Sequence, residues 1–194
     1  MDNPLSDQQL LENLRQGDTT ALDKLFRQYY VSCCQRADRI LRDPDAAEDV
    51  VQELFLSLWK RRATLPLMDN VRAYLLRSTR NRSLNYLRDQ ARIPQGDGEM
   101  PDIATAANLA SSELELEELK ARVDAAIDSL PERCRLVYVL CRLEEMSHKE
   151  VAASLNISTK TVENQMRRAY AYLREYLSLV LLLPLMNGLS GPFF

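Results

Sequence analysis

The sequence predicts an all-α fold in which two small helical domains are joined by an acidic, flexible linker. Only five glycines occur among 194 residues, apolar residues recur at steps of three and four, and helix-capping residues precede the periodic stretches. Few runs combine β-branched residues with turn signals, so strands are not expected. We expect the first domain at residues 1–92, the linker at 93–118, the second domain at 119–178 and an apolar tail at 179–194.

The first domain is expected to contain four helices, each preceded by a side chain that can accept a backbone N–H. Ser6 and Asp18 suit the starts of the first two helices. Asp43 and the proline after it suit the third, and Asn70 suits the fourth, which is expected to reach about Arg92. Because the apolar positions after each cap fall on one helical face, these helices can enclose one core.

The fourth predicted helix carries a basic, polar surface. Between Val71 and Arg92 it holds six arginines and a single acid, Asp89. Its apolar spacing lapses over residues 78–82 and returns at Leu84, and a polar stretch in a packed helix usually faces water or a ligand. The net charge of −3 argues against a nucleic-acid partner, yet a basic helix inside an acidic chain favours one.

A change of composition marks the linker. Residues 93–118 contain seven acids and no lysine or arginine, and prolines and glycines cluster in their first half. That half also lacks helical periodicity. The composition is typical of a partly disordered tether, whose end from Glu113 onward can join the next helix.

Two serine–glutamate pairs in the second domain have the spacing of a capping box, in which each side chain accepts a backbone N–H from the other residue's position. The pairs are Ser129 with Glu132, and Ser147 with Glu150. Each pair precedes an apolar stripe, so each pair is expected to start a helix.

The helix that follows Ser147 begins a helix-turn-helix pattern. It is expected to end at Leu155, after which Asn156 can adopt the left-handed backbone conformation of a sharp turn. Ser158 then suits the cap of a second helix. The inner positions of that helix are Val162, Met166 and Ala169.

The outer face of that second helix has the chemistry of a DNA-reading surface. In a helix-turn-helix, the N-terminal part of the second helix enters the major groove. Arginine can bond guanine, asparagine can bond adenine and glutamate can bond cytosine, whereas lysine and threonine suit phosphates. An ordinary helical hairpin with a solvated charged face is the alternative. The predicted DNA-contacting residues are Lys160, Thr161, Glu163, Asn164, Arg167 and Arg168.

Other kinds of site find little support in the sequence. Four cysteines and one histidine lack the paired spacing of zinc ligands, so free thiols and no metal are expected. The sequence contains no glycine-rich phosphate loop and no nucleophile beside a base. We therefore expect that the protein is not an enzyme and binds no cofactor. The first 16 residues are too polar for a secretory signal, and no stretch reaches about 18 apolar residues, which predicts a cytoplasmic protein.

Two motifs resemble those of the extracytoplasmic-function (ECF) sigma factors. The helix-turn-helix at residues 147–166, with its lead-in LPERCR at 130–135, resembles region 4 of that family. Residues 45–59, DAAEDVVQELFLSLW, are similar to the family's region 2 motif. The order and separation of the motifs also match, and the resemblance covers roughly residues 10–92 and 119–176.

The resemblance implies an alternative sigma factor that binds RNA polymerase core and directs it to promoter DNA. Residues 71–88 are similar to the family's promoter-melting helix. That helix and the loop Thr64–Asn70 would receive the non-template strand and an extruded base of the −10 element, and the helix-turn-helix would read the −35 element. The implied −10 residues are Arg77, Arg80, Asn81, Arg82, Asn85 and Arg88.

The resemblance also implies protein partners. An acidic face of the region 2 helix would bind a basic coiled coil of the polymerase β′ subunit, and the β subunit is the other expected polymerase contact. An anti-sigma factor is a further implied partner, and the helix-turn-helix has some likeness to the iron-uptake type of the family. No small-molecule substrate is expected. The implied polymerase-binding residues are Asp45, Glu48, Asp49, Gln52 and Glu53.

Two other functions remain open at this point. The run Thr161–Asn164, TVEN, also occurs in output domains of response regulators, so a dimeric helix-turn-helix regulator that acts without polymerase is one alternative. No α/β receiver pattern precedes that run, and the region 2 motif would then be unexplained. A helical adaptor that binds no nucleic acid is the other alternative. The apolar tail from Leu177 to Phe194 either folds back on the second domain or docks an inhibitor.

The charge distribution predicts weak DNA binding by the free protein. The acidic linker joins two basic surfaces, so its carboxylates can compete with phosphate wherever it approaches them. We expect core polymerase to remove this competition and to fix the spacing of the two domains.

Overall fold

The structure is a computed structural model that describes residues 5–66, 68–90, 92–101 and 116–188, with the side chains of residues 116–119 and 179–188 excepted. All regular structure in these residues is helical, and no strand occurs among them. The predicted all-α class is therefore confirmed. The chain divides into two compact units, Met1–Arg92 and Ile93–Phe194.

In the first unit, the described residues form four α-helices and a short 3-10 turn. Each predicted cap is present. Ser6 forms a capping box with Gln9, while Asp18, Asp43 and Asn70 each accept a backbone N–H from the first turn of the next helix. The elements are α1 (Asp7–Arg15), α2 (Thr19–Leu41), α3 (Pro44–Lys60), the 3-10 turn (Arg62–Thr64) and α4 (Val71–Asp89).

Helix α2 forms the centre of this unit and packs against α1, α3 and α4. Its inner stripe follows helical spacing and includes Leu25, Tyr29 and Cys33, all buried. The Tyr29 hydroxyl donates to the Asp7 carboxylate. Burial first, and then this carboxylate, raise the pKa of Tyr29 to about 12. The hydroxyl therefore stays protonated and ties α1 to α2.

One expectation for α4 was wrong. The polar stretch at residues 78–82 does not face outward as a whole, because Thr79 is fully buried, as is Ser83. Their hydroxyls donate to the carbonyls of Leu75 and Thr79, respectively, each one helical turn back. Since the helix's own carbonyls satisfy both hydroxyls, these small side chains can occupy the inner stripe of α4, and the stripe continues without a break.

Four α-helices occur among the described residues of the second unit. They are α5 (Leu116–Ser129), α6 (Glu132–Arg142), α7 (His148–Leu155) and α8 (Thr159–Gly188). The predicted capping box of Ser129 with Glu132 is wrong. Ser129 is the last residue of α5, and its hydroxyl bonds the carbonyl of Ala126 and the Tyr172 hydroxyl. The cap position of α6 is occupied by Pro131, with no side-chain hydrogen bond.

The helix-turn-helix is confirmed in its local geometry. Ser147 and Glu150 form the predicted capping box, and Asn156 has φ 54° and ψ 48° in the turn between α7 and α8. The Ser158 hydroxyl accepts from the Thr161 N–H at 3.0 Å and caps α8. The predicted inner positions are all buried; they are Val162, Met166 and Ala169.

Some sequence-based expectations fall outside the described residues. Residues 102–115 of the predicted linker and residues 189–194 of the predicted tail are among them. Helix α8 runs to Gly188, but the side chains from residue 179 onward are not described. None of the helices in the described part of the chain combines the length and apolar content needed to cross a membrane.

Candidate nucleic-acid and protein-binding surfaces

The first unit has a concavity between α3 and α4, which we call the α4 cavity. Its volume is about 310 Å³. Apolar side chains of α3 and the following turn, Leu54, Leu58 and Leu65, form part of its wall. The opposite wall is polar because α4 presents one face to it at steps of three and four residues. The α4 residues that line it are Tyr74, Ser78, Asn81, Arg82 and Asn85.

Only part of the predicted −10 set meets at this cavity. Three of its six members line it, Asn81, Arg82 and Asn85. Arg77 and Arg88 are exposed on α4 without lining the cavity, although Arg88 donates to the Asn85 side-chain oxygen. The fourth arginine of the set, Arg80, is half-buried and lies 3.4 Å from the Asn81 side-chain oxygen. The structure thus separates cavity-lining residues from residues that flank the cavity.

Four polar or aromatic residues that line the cavity are absent from the predicted −10 set; they are Ser57, Arg61, Tyr74 and Ser78. Tyr74 and Ser78 lie on the same face of α4 as Asn81, at helical steps that the sequence already contained. Arg61 was not foreseeable in this way, because it lies after the end of α3 and reaches the cavity only through the fold. Its neighbour Arg62 instead stacks over the Trp59 ring at 4.2 Å. Arg61 adds a second guanidinium to the polar wall.

The predicted acidic surface lies on α3. All five of its members are exposed, and the opposite side of α3 is buried. Leu56 continues this face and is 58% exposed, which the sequence reasoning did not single out. Beside it, an apolar cavity of about 360 Å³ opens between α2 and α3. The acidic surface comprises Asp45, Glu48, Asp49, Gln52 and Glu53.

The outer face of α8 carries the predicted DNA-contacting residues of the second unit. Lys160, Glu163 and Arg167 are exposed, whereas the other three are half-buried. Most of them already have partners on the same helix. Lys160 pairs with Glu163 at 3.4 Å, and the Arg167 guanidinium donates to the Asn164 side chain at 3.3 Å.

Arg168 differs from its neighbours because its partners come from residues 93–101. Its two terminal nitrogens donate to the backbone carbonyls of Asp97 and Gly98, at 2.5 and 2.6 Å. The Asp97 carboxylate accepts from the Gln165 amide at 2.6 Å. We call Asp97 and Gly98 the linker clip. No sequence pattern predicted this contact, which joins residues about 70 positions apart.

The cysteines show the chemistry of buried thiols. All four are free, and burial raises the pKa of Cys134 to about 11. The pKa values of the other three are also raised, in each case mainly by burial. Within the described residues, no group of three or more His, Cys, Asp or Glu side chains is placed to hold a metal ion.

Comparison with known families matches both units. Residues 25–93 match sigma-70 region 2, and residues 120–173 match sigma-70 region 4. The ECF RNA polymerase sigma-E factor of Escherichia coli (strain K12) is 29% identical over 182 residues, which cover 87% of this chain and 93% of that protein. The ECF RNA polymerase sigma factor SigE of Mycolicibacterium smegmatis is 30% identical over 180 residues, covering 84% and 65%.

Solved structures also match. The structure of CnrH in complex with the cytosolic domain of CnrY shares 28% identity at a TM-score of 0.47, covering 89% of this chain and 97% of that one. The sigma factor RpoE of Bartonella quintana, in complex with the anti-sigma factor NepR, shares 20% identity at a TM-score of 0.42, covering 80% and 96%.

A region 2 unit followed by a region 4 helix-turn-helix unit defines a sigma-70-type transcription initiation factor. Both relatives reported above are ECF RNA polymerase sigma factors. The chain belongs to the sigma-70 family and is an alternative sigma factor of the extracytoplasmic-function class.

Proposed function

We propose that this sigma factor binds core RNA polymerase through α3 and contacts promoter DNA through α4 and α8. The observation that carries the proposal is the α4 cavity, which places two guanidinium groups, two amides and a tyrosine ring around one concavity. Cationic groups beside an aromatic ring suit a single-stranded nucleic acid, because the charges hold phosphates and the ring stacks on a base.

The −10 contact is assigned to the α4 cavity and its rim. An extruded base entering the cavity can be bonded on its edge by Asn81 or Asn85, while Arg61 and Arg82 hold the backbone beside it. Arg77, Arg80 and Arg88 complete the set as flanking residues, with Arg77 and Arg88 exposed for phosphate contacts. Region 2 of the chain would then read single-stranded rather than duplex DNA.

The −35 contact is assigned to the outer face of α8. Asn164 and Arg168 have side chains able to make bidentate contacts with adenine and guanine, and Glu163 can accept from cytosine. Lys160 and Thr161 lie in the first turn of α8, where phosphate contacts would position the helix in the groove. Arg167 is exposed beside them.

The polymerase contact is assigned to the acidic surface of α3, with the β′ subunit as its partner. Exposed carboxylates at Asp45, Glu48, Asp49 and Glu53 suit a basic partner, and charge complementarity speeds and orients association. Exposed Leu56 and the apolar cavity beside Gln52 offer a centre that a partner can desolvate.

The remaining assignments rest on the family resemblance. We propose that residues 1–92 and 119–178 are the functional domains, that 93–118 is a linker and that 179–194 is an apolar tail. We also propose that the protein acts in the cytoplasm, contacts the polymerase β subunit and is held by an anti-sigma factor. The helix-turn-helix likeness supports an iron-uptake type. Higher transcription of its target promoters under iron limitation would support that type, and an unchanged level would exclude it.

The test combines purified protein with core polymerase on genomic DNA and sequences the RNAs produced. The proposal expects transcripts from a limited set of sites that share −35 and −10 sequences. A regulator that acts without polymerase would instead fail to co-purify with core and would bind its DNA sites alone. That result would overturn the proposal.

A further inference from the structure

Residues 93–101 turn back onto the DNA-reading helix of the second unit. Gly96 and Gly98 have φ values of +81° and +47°, in the left-handed region that glycine adopts most readily. The turn brings Asp97 and Gly98 against α8 and the start of α6. These two residues form the linker clip described above.

The clip occupies part of the recognition chemistry of Arg168. A bidentate contact with guanine needs two neighbouring guanidinium N–H donors, and each terminal nitrogen of Arg168 already donates one of its N–H groups to a clip carbonyl, at 2.5 and 2.6 Å. Hydrogen bonds from a charged donor are among the stronger ones in proteins. The clip carbonyls therefore compete with a base for the guanidinium and hold the Arg168 side chain against residues 97 and 98.

The clip also covers the helix beside Arg168. The Gln165 amide donates to the Asp97 carboxylate at 2.6 Å, and Gln165 is only 1% exposed. The same carboxylate lies 3.9 Å from the Arg133 guanidinium. These two contacts hold the Asp97 side chain against α8 and the first turn of α6.

Gly98 is required for this closure. A Cβ atom at Gly98 would lie 2.8 Å from the Cβ of Pro131, and that atom belongs to a rigid ring. The clip therefore cannot close in its present position with any larger residue at 98. Gly96 has no atom within 4 Å of its added Cβ and does not share this restriction.

We propose that the linker clip closes the DNA-recognition helix of the free sigma factor, and that withdrawal of residues 93–101 opens it. The inference rests on the proposed −35 contact of Arg168. Its mechanism differs from general repulsion by linker acids, because the acceptors of Arg168 are neutral backbone carbonyls in a fixed position. A clip closed in about nine molecules of ten would weaken DNA binding about tenfold.

The test is Gly98→Ala in the full chain. DNA binding is measured by fluorescence anisotropy at fixed salt, with a duplex carrying the −35 sequence selected in the transcription experiment. The clip predicts that the free variant binds about tenfold more tightly than the parent, while the holoenzymes of parent and variant bind alike, because core polymerase has already withdrawn the segment. Equal binding by the two free proteins would overturn the proposal.

A matched pair of variants separates the clip from linker charge. Asp97→Ala and Glu99→Ala remove the same charge two residues apart, but only Asp97 bonds Gln165. Tighter binding for Asp97→Ala alone supports the clip, and an equal gain for both variants identifies simple repulsion and contradicts it. This pair also decides the question if Gly98→Ala fails to fold, which a thermal melt would reveal.

The variant Arg168→Ala separates two proposals, the linker clip and the −35 contact of Arg168, so that either one can fail alone. If the holoenzyme of Arg168→Ala keeps its −35 base preference, the proposed function of Arg168 is wrong. If that preference is lost but Gly98→Ala has no effect, the clip alone is wrong. In the double variant Arg168→Ala/Gly98→Ala, the gain from Gly98→Ala should disappear, because the clip acts through Arg168.

Discussion

Two basic helices of this protein, α4 in the first unit and α8 in the second, differ in how ready they are to bind. The α4 cavity is already formed, and Asn81, Arg82 and Arg61 line it. On α8, Arg168 is bonded to Asp97 and Gly98. Similar side chains therefore differ in whether they already have an internal partner. The α4 cavity can accept a ligand as it stands, whereas on α8 the ligand must compete with the linker clip for Arg168.

This difference has an energetic consequence. A preformed site loses little conformational freedom on binding, whereas a site that is occupied internally loses affinity in proportion to the fraction that is closed. We therefore expect DNA binding by the first unit to depend on the availability of single-stranded DNA. DNA binding by the second unit is expected to depend on whether residues 93–101 are closed over α8 or withdrawn from it.

The largest expected effect concerns the acidic surface of α3, which is also exposed in the first unit. Charge reversal at Asp49 together with Gln52→Ala should weaken binding to core polymerase roughly a hundredfold, because like charges facing each other across an interface cost several kcal/mol. Binding is measured by titration with labelled core. Glu12→Lys is the control, since it makes the same charge change at an exposed site on α1. Unchanged affinity in the α3 variant would show that this acidic surface does not bind core polymerase.

The next effect tests the α4 cavity. Asn81→Ala should lower the rate of open-complex formation roughly 5- to 160-fold and relax preference at one −10 position, because a lost base contact costs about 1–3 kcal/mol. Arg77→Ala, on α4 but outside the cavity lining, should produce a smaller loss that is uniform across sequences. Equal, sequence-independent losses for the two variants would show that the cavity does not read a base.

How far the sequence predicted these surfaces depends on the range of the interactions. Caps at Ser6 and Ser147 and the turn at Asn156 were predicted because they involve residues within one helical turn. The pair Ser129 and Glu132 has the same spacing as Ser147 and Glu150, yet it fails because Ser129 is still part of α5. A spacing rule cannot tell whether the preceding helix has ended.

Features that depend on tertiary contacts were missed. Thr79 and Ser83 look solvent-facing in sequence, but their hydroxyls bond carbonyls of their own helix and so can be buried. Arg61 reaches the α4 cavity only because α3 and α4 pack together. The contact of Asp97 with Arg168 has no local signature at all, so no pattern of nearby residues could predict it.

A smaller effect concerns the stability of the two units. Ser147→Ala removes the cap of α7 and should lower the free energy of unfolding by about 1 kcal/mol. Protection from hydrogen exchange should fall in the second unit and stay constant in the first. Ser178→Ala, at an exposed position inside α8, is the control and should cause no loss. A loss of protection in α4 would show that the units do not unfold separately.

The smallest effect concerns the exposed part of α8. Lys160→Ala should weaken holoenzyme binding about threefold at all promoters and reduce the slope of log affinity against log salt by about 1, because one phosphate contact is lost. The Lys160 ammonium already pairs with Glu163, so part of its charge is compensated before DNA arrives. A change in base preference would contradict the assignment of Lys160 to phosphate.

Arginine modification of the free protein tests the contrast between the surfaces most directly. Phenylglyoxal would be applied to the full chain, and the modified arginines would be located by peptide mass spectrometry. Arg61 and Arg167 are exposed, and Arg168, next in sequence to Arg167, is held by the clip. We expect rapid modification of Arg61 and Arg167, slow modification of Arg168, and rapid modification of Arg168 in Gly98→Ala. Equal rates at Arg167 and Arg168 in the parent protein would contradict this expectation.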